Sequence, residues 1–96
     1  MDRDIILMHL KQYLLSKKDI YHINRLGLFG SYARGEATDD SDIDIVVDFK
    51  KPDLYHQIGI KQELEEHFNT HVDVIALWKK MNPKLLSRIQ RDVIYV

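Results

Sequence analysis

Two aspartates separated by one residue are the part of this sequence best suited to chemistry. Asp42 and Asp44 lie in the segment DIDIVVDF, which begins with alternating polar and apolar residues. This alternation predicts a β-strand with one polar face and one buried face. Side chains two residues apart on a strand point the same way, about 7 Å apart, so both carboxylates should project from one face. Because adjacent unpaired carboxylates repel each other, the pair favours a bound divalent cation.

A third carboxylate follows the same pattern further along the chain. In HVDVIAL, Asp73 alternates with valines that should face the core, so Asp73 should face the same side as Asp42 and Asp44. Neighbouring strands lie about 4.8 Å apart, and three carboxylates could then converge on two cations about 3.5 to 4 Å apart. An exposed aspartate on a sheet is usually only solvated. The prediction for Asp73 therefore depends on its combination with Asp42 and Asp44.

A glycine–serine turn precedes these aspartates and could bind phosphate. Gly30 would let a phosphate approach the backbone, and the Ser31 hydroxyl could hydrogen-bond a phosphate oxygen at a helix start. The alternative is that Ser31 is an ordinary N-cap residue. Arg34 lies one turn further on and could contact phosphate or pair structurally with an aspartate.

Other common phosphate-binding and metal-binding motifs are absent. The spacing from Gly30 to Gly35 matches a Walker A loop, but Glu36 stands where that loop requires lysine. An EF-hand fails because Ile45 replaces its glycine and Lys51 its final glutamate. The histidines form no HExxH motif. His67 and His71 are expected to be surface residues.

The elements that must position these residues are helices and strands that alternate along the chain. Asp2, Asp53 and Asn82 are predicted helix N-caps. The predicted order is a helix over 2–18, a strand over 23–29, a short turn of helix over 32–34, a strand over 42–49, a helix over 53–68, a strand over 71–77, a helix over 83–91 and an edge strand over 93–96. The apolar arc of the third helix is predicted to comprise Leu54, Ile58, Ile60, Leu64 and Phe68, interrupted by Gln57 and Lys61. The pattern predicts an α/β fold: a small mixed sheet with helices mainly on one face, and the other face open for chemistry.

Composition sets the remaining limits. The 96 residues predict a single domain over 1–96, and 45% apolar residues can form one core. A net charge of −1 does not indicate a broad nucleic-acid surface, so no direct nucleic-acid binding is expected. The absence of cysteines is compatible with a reducing cytosol, and no apolar run is long enough to span a membrane. We therefore expect a cytoplasmic protein that does not bind membranes.

The motif Gly30-Ser31, ten residues, Asp42-x-Asp44 resembles the signature of DNA polymerase β-like nucleotidyltransferases. The string GSYARGEATDDSDIDIVV, the compact length and the ending PKLLSRIQRDVIYV resemble the smallest branch of that superfamily. This branch comprises the minimal nucleotidyltransferase (MNT) antitoxins, which are encoded beside HEPN-domain toxins. The resemblance covers nearly the whole chain, with no departure at the catalytic positions.

This resemblance implies a polymerase β-like fold and a transferase that uses Mg²⁺, with two ions, and ATP. Gly30 and Ser31 would bind the triphosphate. Asp42 and Asp44 would hold the metals, and Asp73 would complete the second metal site and help deprotonate the acceptor hydroxyl. In this branch the acceptor is a tyrosine of the partner HEPN toxin, which AMPylation inactivates within a hetero-oligomer.

Two other classes of function remain open at this stage. The chain could be a binding-only antitoxin that blocks its partner sterically. It could instead be a nucleotidyltransferase that acts on a small molecule or on a nucleic-acid end.

Overall fold

A computed structural model describes all residues from 1 to 96 and contains four helices and four strands. In chain order these are α1 (Arg3–Lys17), β1 (Ile23–Phe29), α2 (Gly30–Arg34), β2 (Ile43–Phe49), α3 (Leu54–Phe68), β3 (Val72–Ala76), α4 (Pro83–Asp92) and β4 (Ile94–Tyr95). The boundaries predicted from the sequence agree to within one or two residues at every element. None of the helices has the length and apolar character needed to cross a membrane.

The four strands form one mixed sheet in the order β3-β2-β1-β4. Strand β1 runs antiparallel to both β2 and β4, whereas β2 and β3 are parallel. A parallel pair needs a long crossover connection, and α3 provides it. The predicted α/β class with a mixed sheet is therefore confirmed.

The main core lies on one face of this sheet, beneath α1 and α3. Helix α1 contributes Ile6, Leu10 and Leu14, spaced to form one stripe. The largest fully buried side chains of the sheet on this face are Ile23, Leu26, Leu28, Ile43, Ile45 and Val47. Because these residues alternate along β2, the remaining side chains of that strand must face the other way.

Side-chain caps fix where three of the helices begin, as predicted. Asp2 accepts a hydrogen bond from the Ile5 amide at 2.9 Å. Asp53 and Asn82 each accept bonds from two amides of the first turn that follows. Such caps satisfy amides that have no partner within the helix.

Helix α3 is oriented differently from the predicted arc. Ile60, Leu64 and Phe68 are buried, but Leu54 and Ile58 are exposed. The physical reason is that β3 is an edge strand whose outer carbonyls lack a neighbouring strand. Lys61 Nζ donates to the Val72 carbonyl at 2.6 Å, and Gln57 Nε2 donates to the Val74 carbonyl at 3.0 Å. The two polar residues that interrupted the predicted stripe therefore satisfy this edge.

The second face of the sheet carries a smaller core under α4. It consists of Phe29, Val46, Met81 and Ile89. Two long helices thus cover one face, as predicted, while α4 covers part of the other. The start of β2 and β3 lies outside this small core, and there the second face carries carboxylates.

Candidate active site

The register of the parallel strands brings the three predicted aspartates to one region. Asp44 on β2 is the direct partner of Asp73 on β3. Their neighbours Ile43 and Val72 are fully buried in the main core. The aspartates therefore point to the opposite face, and Asp42, two residues before Asp44, accompanies them.

A histidine that the sequence analysis treated only as a surface residue lies among these carboxylates. His71 Nδ1 is 3.5 Å from Asp42 Oδ2 and 3.7 Å from Asp73 Oδ1. Donor atoms of these three residues all lie within 4.8 Å of one another. The ring is half-exposed, as expected, but its position two residues before Asp73 places it on the same face. That spacing was the signal available in the sequence.

Asp44 lies next to Asp73 on the neighbouring strand and is less exposed than Asp42. Burial, followed by repulsion from Asp73 and Asp42, raises the pKa of Asp44 above its usual range. The positive charges of Arg88 and Arg34 act in the opposite direction and do not reverse the shift. The sequence analysis did not single out Arg88, which reaches the site only because α4 packs on this face.

The Gly30–Ser31 turn lies directly beside Asp44. Gly30 has φ +76°, and a β-carbon there would approach the Asp44 carboxyl carbon to 3.0 Å. Helix α2 begins at Gly30, Phe29 occupies the N-cap position, and no side chain caps the first turn. Ser31 is therefore not the N-cap residue.

The donor set suits a divalent cation. Three carboxylates supply hard oxygen ligands of the kind Mg²⁺ prefers. Burial first, and then repulsion from Asp73 and Asp42, raise the pKa of Asp44 and so disfavour its charged form in the folded chain. A bound cation would stabilise the charged carboxylates, and donor atoms of Asp42, His71 and Asp73 lie within 4.8 Å of one another, so the residues present fit a metal site.

Comparison with known families identifies the domain. The family model described as a nucleotidyltransferase domain matches residues 7–96. The chain belongs to the nucleotidyltransferase domain family. The residues matched include the turn, all three aspartates and every strand of the sheet.

Individual relatives agree with this assignment. The protein adenylyltransferase MntA of Thermococcus cleftensis is 35% identical over 80 residues, which cover 82% of this chain and 80% of that protein. A solved candidate minimal nucleotidyltransferase is 30% identical, with a TM-score of 0.77 and coverage of 98% of this chain and 95% of that one. A chain of the MntA–HpeT toxin–antitoxin complex is 26% identical, with a TM-score of 0.72 and coverage of 92% and 70%. The fold is that of a minimal nucleotidyltransferase.

Within this nucleotidyltransferase domain, Arg34 makes structural ion pairs. Its Nε is 3.0 Å from Glu36 Oε2, and one terminal nitrogen is 2.7 Å from Asp92 Oδ2. Arg91 also contacts Asp92, and hydrogen bonds from Arg91 and Arg34 lower the pKa of Asp92 to about 2. Arg34 therefore connects α2 to the end of α4. A role for Arg34 in nucleotide binding stays a prediction.

Proposed function

We propose that this chain transfers the AMP group of ATP to a tyrosine hydroxyl of a HEPN-family toxin, with which it forms a hetero-oligomer, and so neutralises the toxin. The observation that carries the proposal is the meeting of Asp42, Asp44 and Asp73 beside the Gly30–Ser31 turn of a nucleotidyltransferase domain. Relatives support a protein acceptor and a toxin partner. One is named a protein adenylyltransferase, and another is part of a toxin–antitoxin complex.

The three aspartates would hold Mg²⁺, with two ions in this proposal. Bound Mg²⁺ would stabilise the negative charge that develops on the attacked phosphoryl group and on the leaving pyrophosphate. Asp44 is less exposed than Asp42 and lies directly beside Gly30 of the turn, so we assign it to the side that faces the triphosphate. Asp42 and Asp73, which lie close to His71, form the outer side.

The turn would position the triphosphate. Gly30 has no side chain, so a phosphate could approach its backbone closely. The Ser31 hydroxyl is not used as a helix cap and would donate a hydrogen bond to a phosphate oxygen. Arg34 would contribute its positive charge nearby.

Asp73 would assist the attacking hydroxyl. A tyrosine hydroxyl has a pKa near 10, so at neutral pH it needs help to lose its proton. The tyrosine oxygen forms a bond to the α-phosphorus, the bond from that phosphorus to pyrophosphate breaks, and the proton leaves towards the Asp73 carboxylate. Assistance of this kind typically accelerates a reaction by about 10² to 10⁴.

The deciding experiment measures the mass of the partner toxin after incubation with this chain, ATP and Mg²⁺. We expect the toxin to gain the mass of AMP less water for each modified tyrosine. Asp73→Asn should keep the fold, the complex and much of the ATP binding, while transfer falls by roughly 10² or more. Asp48→Asn is the matched control, because Asp48 lies on the same face of β2 but pairs with Arg25 at 3.1 Å.

The same experiment separates the other functions. A toxin that is inhibited without any change in mass would support a binding-only antitoxin, for which exposed Leu54, Tyr55 and Trp78 offer apolar contact surface. Transfer of labelled AMP to a small molecule or nucleic-acid end without the toxin would support the third class of function.

A further inference from the structure

His71 directly precedes β3 and is hydrogen-bonded to β2 through its backbone. Its carbonyl accepts a hydrogen bond from the Ile43 amide at 3.1 Å, which joins it to the first residue of β2. Its ring then lies on the same face as Asp73, two residues later. The position of the ring beside the carboxylates is therefore a consequence of the strand register and not of a flexible loop.

The spacing of the donor atoms is close to that of ligands around one ion. Ligands bound at about 2.0 to 2.2 Å from a metal are about 3.0 to 3.5 Å apart. His71 Nδ1 lies 3.5 Å from Asp42 Oδ2 and 3.7 Å from Asp73 Oδ1. Both distances are within a few tenths of an ångström of that spacing, and donor atoms of all three residues lie within 4.8 Å of one another.

The other ring nitrogen of His71 faces a carboxylate that is itself fixed. His71 Nε2 is 4.0 Å from Glu65 Oε2. The same oxygen accepts from the Val72 amide at 3.1 Å and from Lys61 Nζ at 3.4 Å. Metal-bound histidines commonly direct their second nitrogen at a carboxylate, which favours the tautomer with a free lone pair on the first nitrogen. Here that free nitrogen would be Nδ1.

We propose that His71 is a nitrogen ligand which, with Asp42 and Asp73, gives the outer side of the metal site a preference for first-row transition ions over Mg²⁺. The inference rests on the proposed function in taking Asp42 and Asp73 as cation ligands. Imidazole binds borderline ions such as Co²⁺ and Zn²⁺ well, whereas Mg²⁺ selects oxygen. A purely acidic site would have a weaker preference for these ions.

The test is calorimetric titration of the nucleotide-free chain with Co²⁺ and, separately, with Mg²⁺. His71→Gln should weaken Co²⁺ binding by roughly tenfold or more and leave Mg²⁺ binding unchanged. His67→Gln is the matched control. His67 is also exposed, but Nε2 of its ring lies 2.9 Å from His9 Nδ1, and this pair could itself bind Co²⁺. The His67→Gln variant therefore removes that second site and should retain the site at His71.

A proton NMR spectrum of the Co²⁺ form provides a second measurement. A ligated imidazole carries a strongly shifted ring N–H signal, and we expect one such signal that disappears in His71→Gln and persists in His67→Gln. Unchanged Co²⁺ affinity in His71→Gln with the signal retained would overturn the inference. An equal loss of affinity for both ions in His71→Gln would also overturn the inference, because His71 would then be a structural residue. Tighter binding of the ions by His71→Gln would overturn it too, because His71 would then be a competing cation.

Asp42→Asn distinguishes this inference from the proposed function. Suppose that Asp42→Asn abolishes the binding of both ions while His71→Gln changes the affinity for neither. The metal site is then supported, and only the proposed role of His71 is wrong. If Asp42→Asn changes the affinity for neither ion, the proposed metal site itself is wrong.

Discussion

The carboxylate of Asp44 packs directly against the α-carbon of Gly30. A methyl group at position 30 would approach the Asp44 carboxyl carbon to 3.0 Å and its β-carbon to 3.2 Å, with one carboxylate oxygen nearer still. The backbone at Gly30 is also left-handed, with φ +76°. The proposed phosphate-binding turn and the proposed metal-binding carboxylate are therefore in contact, and only glycine fits between them.

Gly30→Ala should consequently impair both stability and ligand binding. We expect loss of the stabilisation by ATP and Mg²⁺, because the new methyl group must displace Asp44. Gly35→Ala is the matched control, since Gly35 has φ +73° but nothing within 4 Å of an added β-carbon. The free energy of unfolding of Gly35→Ala should fall only by the cost of placing an alanine in the left-handed region, about 1 to 2 kcal/mol. Urea unfolding with and without ligand measures both effects, and equal behaviour of the two variants would contradict the contact.

Asp44→Asn should stabilise the chain in the absence of metal and nucleotide. Burial and the neighbouring carboxylates raise the pKa of Asp44 in the folded state above its ordinary 3.8. The folded chain therefore binds this proton more tightly than the unfolded chain does. The resulting loss of stability is absent below pH 3.8 and complete above the raised pKa. Thermal melts at pH 7 should show a higher Tm for Asp44→Asn, where 1 kcal/mol corresponds to about 4 to 8 °C.

Replacing both Asp42 and Asp44 by asparagine should remove the stabilisation by ATP and Mg²⁺. Wild type should gain roughly 2.7 kcal/mol when free ligand is 100 times its dissociation constant. A chain carrying both Asp42→Asn and Asp44→Asn should fold but gain nothing from ATP with Mg²⁺. Equal stabilisation of this variant and wild type would exclude the proposed metal role.

Ser31→Ala should weaken nucleotide binding without reducing stability. Phe29 occupies the N-cap position of α2 and no side chain caps this helix, so the hydroxyl is not needed for the helix start. Losing a hydrogen bond to a charged phosphate should cost about 1.5 to 3 kcal/mol, or roughly 10- to 150-fold in affinity. Calorimetric titration with ATP and Mg²⁺ measures this change. A lower Tm with unchanged ATP affinity would indicate a structural role for the hydroxyl.

Arg34→Met tests whether the Arg34 side chain is used for structure or for nucleotide binding. If Arg34 serves to fix α4 through Asp92, then Arg34→Met and Asp92→Asn should both lower the Tm, and the double variant should lose little more than either one. Because the pKa of Asp92 is lowered to about 2, the stability from this pair is present above pH 3.8 and is lost as the pH falls towards 2. A lower ATP affinity in Arg34→Met, with normal affinity in Asp92→Asn, would instead support phosphate binding.

Much of the fold and the acidic part of the site follow from local patterns in the sequence. The period of two along β2 and β3 separates buried Ile43 and Val72 from the aspartates, because alternate side chains on a strand face opposite ways. The caps at Asp2, Asp53 and Asn82 depend only on the amides that immediately follow them. Such features need no knowledge of distant residues, and for this reason they could be predicted.

Other features depend on contacts between segments far apart in the chain. The sequence of α3 predicted Leu54 and Ile58 on its apolar arc. In the structure, Gln57 and Lys61 face the sheet in their place and donate hydrogen bonds to the unpaired edge of β3. One of the two partners of Arg34, Asp92, lies 58 residues away on α4. Its identity depends on how α4 packs against the second face of the sheet.

The position of His71 was decided in the same way. Its alignment with Asp73 is local, but its contact with Asp42 depends on the register of β3 beside β2. A shift of one residue in that register would turn one set of side chains towards the core. The sequence therefore determined which side chains share a face of each strand. Tertiary structure decided which faces meet, because pairing between strands depends on the packing of the whole core.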